Sequence, residues 1–165
     1  MSLILLVHHG PAVGPDVDPM RPLSTPGRAV SQRLAAAAAE RGVKPDAVWH
    51  SGKLRARQTA ELFWSACNPL ASLTAERGLQ PGDPPRWMHD RLIGETRLIV
   101  IVGHMPSLPG LLANLLGREG AAPGAFPLHG CVALEREGEG EKGEWGKREG
   151  ERERERWKEA WRIEA

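Results

Sequence analysis

The stretch Leu3-Ile4-Leu5-Leu6-Val7-His8-His9-Gly10-Pro11-Ala12 decides the fold. Five unbroken apolar residues ending in β-branched Val7 read as a strand buried on both faces, the pattern of a parallel sheet covered by helices. Two histidines and the Gly10-Pro11 turn signal follow at once. A buried strand that ends in ionisable side chains delivers them to its carboxyl edge. In open α/β sheets that edge is where ligands bind. The stretch points to an enzyme.

A second core strand, Leu98-Ile99-Val100-Ile101-Val102, ends in the same way at Gly103-His104. Two parallel strands that both finish in histidine would bring two imidazoles to one rim. Between them, Ala47-Val48-Trp49-His50 is short and apolar, hence a strand, and it stops at Ser51-Gly52. A helix from about 53 to 66 should follow, with Leu54, Gln58, Leu62 and Ala66 at helical spacing. An earlier helix is punctuated by Thr25 as N-cap, Pro26 at its first position and Gly42 after Arg41. The Pro- and Gly-rich run from Asn68 to Pro85 leaves room for a short strand near Leu73. Then come a helix over 85–92, with Trp87 and Met88 facing inward, and a helix from Leu108 to Leu116 capped by Ser107 and ended by Gly117.

Cys131-Val132-Ala133-Leu134 makes a further strand, after which the composition turns to Glu, Arg, Lys and Gly with mixed signs. Trp157, Trp161 and Ile163 lie on even spacings, as in a strand. The expected arrangement is a hairpin, with strands at 131–136 and 157–163 and a charged excursion at about 138–155. A terminal charged helix is the alternative, although its opposite charges alternate one by one rather than at the spacing of three or four that pairs them on a helix. The fold class expected is α/β, a three-layer sandwich with a mostly parallel central sheet and helices on both faces.

The 165 residues suit one domain spanning 1–165, enough to bury roughly two thirds of the unfolded surface. A hydrophobic content of 41% supports a core, and a net charge of +1 gives no reason to expect nucleic acid or an anionic membrane as partner. No apolar run approaches the ~20 residues that cross a bilayer. Met1 leads almost directly into the core strand, without the basic start and cleavage site of a signal peptide. Cys67 and Cys131 lack metal-ligand spacing and read as buried free thiols, which suits a reducing cytoplasm. Six tryptophans with no tyrosine read as core packing.

Four stretches, in order, resemble the histidine phosphatase (phosphoglycerate mutase-like) superfamily. They are His8-His9-Gly10 after the buried strand, Arg21-Pro22-Leu23-Ser24-Thr25-Pro26-Gly27, Ser51-Gly52-Lys53-Leu54-Arg55-Ala56-Arg57-Gln58-Thr59-Ala60, and Ile101-Val102-Gly103-His104-Met105-Pro106. The resemblance runs from Met1 to roughly Leu134, and the short length is most similar to the SixA-type phosphohistidine phosphatases. The family's triplet is Arg-His-Gly, so His8 stands where the family has arginine.

The resemblance implies a phosphatase that forms a covalent phosphohistidine on His9, acting on phosphohistidine in a protein, with no cofactor. An imidazole nitrogen can attack phosphorus if its other N–H is held by an acceptor. Arg55, at the start of a helix that follows a strand, would hold phosphate oxygens with its planar fork. In the matched pattern Leu-Arg-Ala-x-Gln-Thr it is this arginine, rather than Arg57, that binds phosphate. His104 would hydrogen-bond the phosphoryl oxygens. Ser51 would cap the helix or touch phosphate. His8 would also face the phosphate, as a shorter and only partly charged substitute for arginine. That leaves open a working but weaker pocket, a binder without turnover, or an altered residue. Small phosphate esters are the alternative substrates. For these a general acid is needed, and among Glu76, Asp83, Asp90 and Glu95 the best placed is Asp83. A zinc site of His8, His9 and His104 is the competing use of the histidines. With no fourth ligand in register, no metal is expected.

Overall fold

The computed structural model describes residues 2–118, 120, 125–137 and 156–165. Its ten elements, in chain order, are β1 (Leu3–His8), α1 (Thr25–Glu40), β2 (Ala47–His50), α2 (Leu54–Cys67), β3 (Ser72–Ala75), α3 (Pro85–Arg91), β4 (Ile99–Gly103), α4 (Ser107–Leu115), β5 (Cys131–Arg136) and β6 (Trp157–Ile163). The strands form one six-stranded sheet in the order β3-β2-β4-β1-β5-β6. The first four pair in parallel, and only β5 runs against its neighbours. The mostly parallel α/β sandwich expected from the strand patterns is what forms. The 131–136 and 157–163 strands pair as the expected hairpin, while the charged excursion at 138–155 lies outside the described residues. Among the described residues no helix is long and apolar enough to cross a membrane.

The apolar runs of β1 and β4 are continuous because alternate residues serve two cores. Ile4, Leu6, Ile99 and Ile101 pack with Met88 of α3 and with Leu108, Leu111, Leu112 and Leu115 of α4. Leu5, Val7, Val100 and Val102 pack on the other face with Leu34, Ala35 and Ala38 of α1 and with Ala56, Ala60 and Phe63 of α2. The alanines let both helices lie close against the strands.

Four local expectations are corrected. Ser24, not Thr25, is the N-cap of α1, its hydroxyl accepting from Gly27 N–H at 3.0 Å, and Thr25 and Pro26 form the first helical positions. Ser107 lies inside α4 rather than capping it, because its hydroxyl donates back to His104 O at 3.0 Å. Trp87 is 38% exposed, and only Met88 of that pair is inward. Trp87 lies instead under the Arg77 guanidinium, 4.4 Å from its ring. Cys67 is only half-buried, while Cys131 is fully so, and both thiols are free.

Two glycines bring the first loop against α1. A Cβ on Gly10 would meet Ser31 Oγ at 2.2 Å and Gly27 O at 2.9 Å. A Cβ on Gly27 would sit 1.8 Å from Pro11 O, against backbone that has no free rotor to move aside. Pro11 O is also held by Ser24 N–H at 3.0 Å. Gly27→Ala should therefore destabilise the fold by about 3 kcal/mol or more, read as a lowered urea midpoint. Gly82→Ala, where nothing lies within 4 Å, should leave the midpoint unchanged.

Candidate active site

Strand register builds the site. His8 of β1 lies beside Gly103 of β4, and His9 N–H continues the pairing to Gly103 O at 3.2 Å. His9 and His104 thus leave adjacent parallel strands at the same edge, with ring centroids 4.9 Å apart. On the far side of β4, His50 of β2 pairs with Val102, which brings Ser51 to His104. On the far side of β1, Val7 pairs with Cys131 of the antiparallel β5, and His8 N–H bonds Gly130 O at 3.0 Å. The start of β5 therefore meets the ends of the parallel strands. It carries His129, a residue that periodicity and motif reading passed over.

Each imidazole has one nitrogen committed. His9 Nδ1 is 2.7 Å from Gly10 O. A carbonyl only accepts, so Nδ1 bears the proton and Nε2 keeps a free lone pair. His129 Nδ1 likewise donates to His9 O at 2.7 Å. His8 Nδ1 accepts the backbone N–H of His129 at 2.8 Å, which puts the His8 proton on Nε2. The hydroxyl of Ser51 accepts Lys53 N–H at 3.3 Å and lies 2.7 Å from His104 Nε2. The opposite nitrogen of His104, Nδ1, is buried and has no hydrogen-bond partner among the described residues.

Arg55 occupies the second position of α2, and its Nε is likewise buried and unpartnered. Arg57 is outside this group and pairs with Glu61 on the surface at 2.9 Å. The two polar residues that follow in the same helix hold the loops around the site. Gln58 Oε1 accepts Leu23 N–H at 2.7 Å, and Thr59 Oγ1 accepts Gly10 N–H at 3.1 Å while donating to Arg55 O. The spacing Arg55, Gln58, Thr59 is thus one turn of helix that carries a guanidinium and two anchors.

The electrostatics are one-sided. Burial foremost, then the neighbouring imidazoles and Arg55, hold His8 down to about 3. Burial and Arg55 outweigh the Gly10 carbonyl and hold His9 to about 4, and burial, His9 and Arg55 hold His104 to about 3. The expected partial charge on His8 at neutral pH is therefore absent. The leading charged neighbours of these rings are Arg55, Arg21 and Lys53, all cations. A carboxylate is not among them. Asp83 lies in the loop before α3, its Oδ2 accepting Gln80 N–H at 3.0 Å, and Gln80 in turn donates to Ser51 O. Unmatched donors, neutral rings and nearby cations suit a multiply charged oxyanion.

For a metal, the ring nitrogens within 4.8 Å of one another among the described residues belong to His8, His9 and His129, not to the His8, His9, His104 set. The lone pair of His8 is already taken by His129 N–H. A cation would have to break that bond to gain its third ligand, so the trio fits a metal poorly.

Since His8, His9 and His104 are all held below their ordinary value, the unfolded chain binds more protons than the folded one below about pH 6.5. Their contribution to stability is complete above that pH and is lost as pH falls toward 4–3, by up to about 1.4 kcal/mol per pH unit for each ring. Urea titrations at pH 7 and pH 5 should show this fall. His104→Gln should flatten it by one proton.

No protein family and no curated relative matches the chain by sequence. Solved structures do match. The chain is similar to a SixA protein of Agrobacterium tumefaciens, with TM-score 0.74 and 20% identity over 99% of this chain and 97% of that one. A protein histidine phosphatase SixA complexed with tungstate matches at TM-score 0.74 and 20% identity, over 98% and 96% of the two chains. A mycobacterial glucosyl-3-phosphoglycerate phosphatase complexed with VO3 matches at TM-score 0.67 and 15% identity, over 99% of each. The strand order, the helices on both faces and the near-complete overlap in length give this chain the phosphoglycerate mutase-like fold of the histidine phosphatases, in the compact form seen in SixA.

Proposed function

We propose that the chain is a histidine-type phosphatase that removes phosphoryl groups through a covalent intermediate on His9, with phosphohistidine in a protein as its substrate. The observation that carries this reading is the His9 ring. It is neutral, its Nδ1–H is held by Gly10 O at 2.7 Å, and its Nε2 lone pair faces a rim with unmatched donors. An imidazole in that state is a competent nucleophile without an adjacent base.

In the first step His9 Nε2 forms a bond to phosphorus as the bond from phosphorus to the leaving nitrogen breaks, and that nitrogen takes a proton from solvent. In the second, water attacks phosphorus, the bond to Nε2 breaks, and inorganic phosphate leaves with the lone pair restored to His9. Arg55 holds two phosphoryl oxygens, and its unmatched Nε is one of the donors it brings. His104 Nδ1–H serves a further oxygen, with Ser51 fixing the ring from behind. His8 Nε2–H donates from the other side. Asp83 is the general acid for ester substrates, whose alkoxide needs a proton more than an imidazole does. The likeness to SixA, described as a protein histidine phosphatase, favours a protein substrate. Small esters are the runner-up.

Incubation with labelled phosphohistidine peptide, quenched without acid, should trap base-stable, acid-labile label on the wild-type chain and none on His9→Ala. Turnover should fall at least about a thousandfold in His9→Ala and about ten- to a hundredfold in Arg55→Ala. Prolonged chelation should change neither rate. Release of phosphate from an aryl ester but not from the peptide would assign the ester reading. Phosphate binding with no label and no turnover would make the chain a binder.

A further inference from the structure

Resting on the phosphoryl-transfer reading, we infer that His129 contacts the phosphoryl group and takes up a proton when that dianion binds, acting with His8 as a stacked pair in the place of a guanidinium. The two rings are 4.6 Å apart and within 8° of parallel. Backbone and side chain of His129 are both tied to the catalytic strand, the N–H to His8 Nδ1 and the ring Nδ1–H to His9 O. The residue sits at φ +54°, a left-handed conformation rare outside glycine and asparagine.

With Nδ1 spent on the His9 carbonyl, Nε2 is the nitrogen of His129 left for a ligand. One nitrogen from each of the His8, His9 and His129 rings lies within 4.8 Å of the others, and the His9 and His129 ring centroids are 5.9 Å apart. A phosphoryl group carried on His9 is therefore within reach of a hydrogen bond of about 2.8 Å from the His129 ring. In its neutral form His129 would turn a lone pair toward those oxygens, which is repulsive. Protonated at Nε2, it donates a charge-assisted bond to them. The proton comes from solvent on binding and returns there when phosphate leaves.

The surroundings make this uptake depend on the anion. Facing the cluster are His8 and His9 of β1 and its loop, Arg21 of the first loop, Lys53 and Arg55 at the start of α2, and His104 after β4. Arg162 of β6 reaches Ala125 O in the loop that carries His129. None is an acid, so a bound dianion is the counter-charge that a protonated His129 would meet. Of the four rings, His129 is the one whose residue is half-buried rather than buried, so it gives up the least hydration on charging. The neutral ring of His8 stacks against the resulting cation.

Tungstate, a dianion between pH 6 and 8, tests this without titrating itself. Calorimetry in buffers of different ionisation heat should show protons taken up with tungstate, up to one per tungstate bound. Affinity should weaken by up to tenfold per pH unit as pH rises through the uptake. His129→Asn keeps the left-handed backbone and an N–H for His9 O but cannot carry the proton. It should bind tungstate with no uptake and about tenfold more weakly at pH 6. His129→Gly, free to take the same φ, should also lose the uptake, and it decides the matter if the asparagine variant does not fold. Binding without proton uptake in the wild-type chain, or uptake that survives in the variants, overturns the role of His129 and leaves the phosphatase reading standing. No tungstate binding at any pH overturns both.

Discussion

Everything at the rim depends on β1 being paired differently on its two edges. Its parallel partner β4 ends at the same edge of the sheet, and its antiparallel partner β5 begins there. One strand therefore gathers side chains from both: His104 from the strand that stops beside it and His129 from the strand that starts beside it. Neither parallel pairing alone nor a hairpin alone would do this. The glycines of the first loop then fold the chain back over α1 without lifting His9 off the edge. Gly10 approaches Ser31 and Gly27 O, and Gly27 approaches the backbone of Pro11, more closely than a side chain permits.

Packing four imidazoles into this edge decides their chemistry. Each ring is tied at one nitrogen to a backbone or hydroxyl group, which fixes its orientation, and the backbone partners of His8, His9 and His129 fix the tautomer as well. Burial and nearby cations remove charge from three of them. What remains is a lone pair on His9 and donors on His8, His104 and Arg55, with no acid among the leading neighbours. Two buried nitrogens, Arg55 Nε and His104 Nδ1, have no partner among the described residues, and an oxyanion that matches such groups gains about 1–3 kcal/mol for each. Selectivity for an anion thus follows from how the donors are left over.

Local pattern made the core strands legible, because short continuous apolar runs such as Leu3–Val7 and Leu98–Val102 need cover on both faces, which a helix-flanked sheet provides. It also made His9, His104 and Arg55 legible as residues that close a strand or open the helix behind one. Side chains whose partner is set by tertiary contact were harder to read. Ser24 and Thr25 are equally good caps by type, and only the seat of Pro11 against the helix start selects the first. Ser107 turned toward His104 O. Trp161 shares an even spacing with Trp157, yet the two pack on opposite faces of the sheet, since a register shift in the β5–β6 pairing inserts one residue between Glu159 and Trp161. His129 was illegible for a related reason. Nothing in Leu128-His129-Gly130 marks it until β5 is known to run antiparallel beside β1.

That placement changes the meaning of His8. Taken alone, imidazole for guanidinium is a loss: a shorter side chain, one donor for several, and no charge once burial holds it down to about 3. But His8 does not stand alone, since the ring of His129 lies parallel to it and the backbone N–H of His129 donates to its Nδ1. A guanidinium offers a permanent cation and a rigid fork, whereas His8 and His129 each have one ring nitrogen committed to the backbone and one left over. His8 at the end of β1 and His129 just before β5 are, on this geometry, one structural feature.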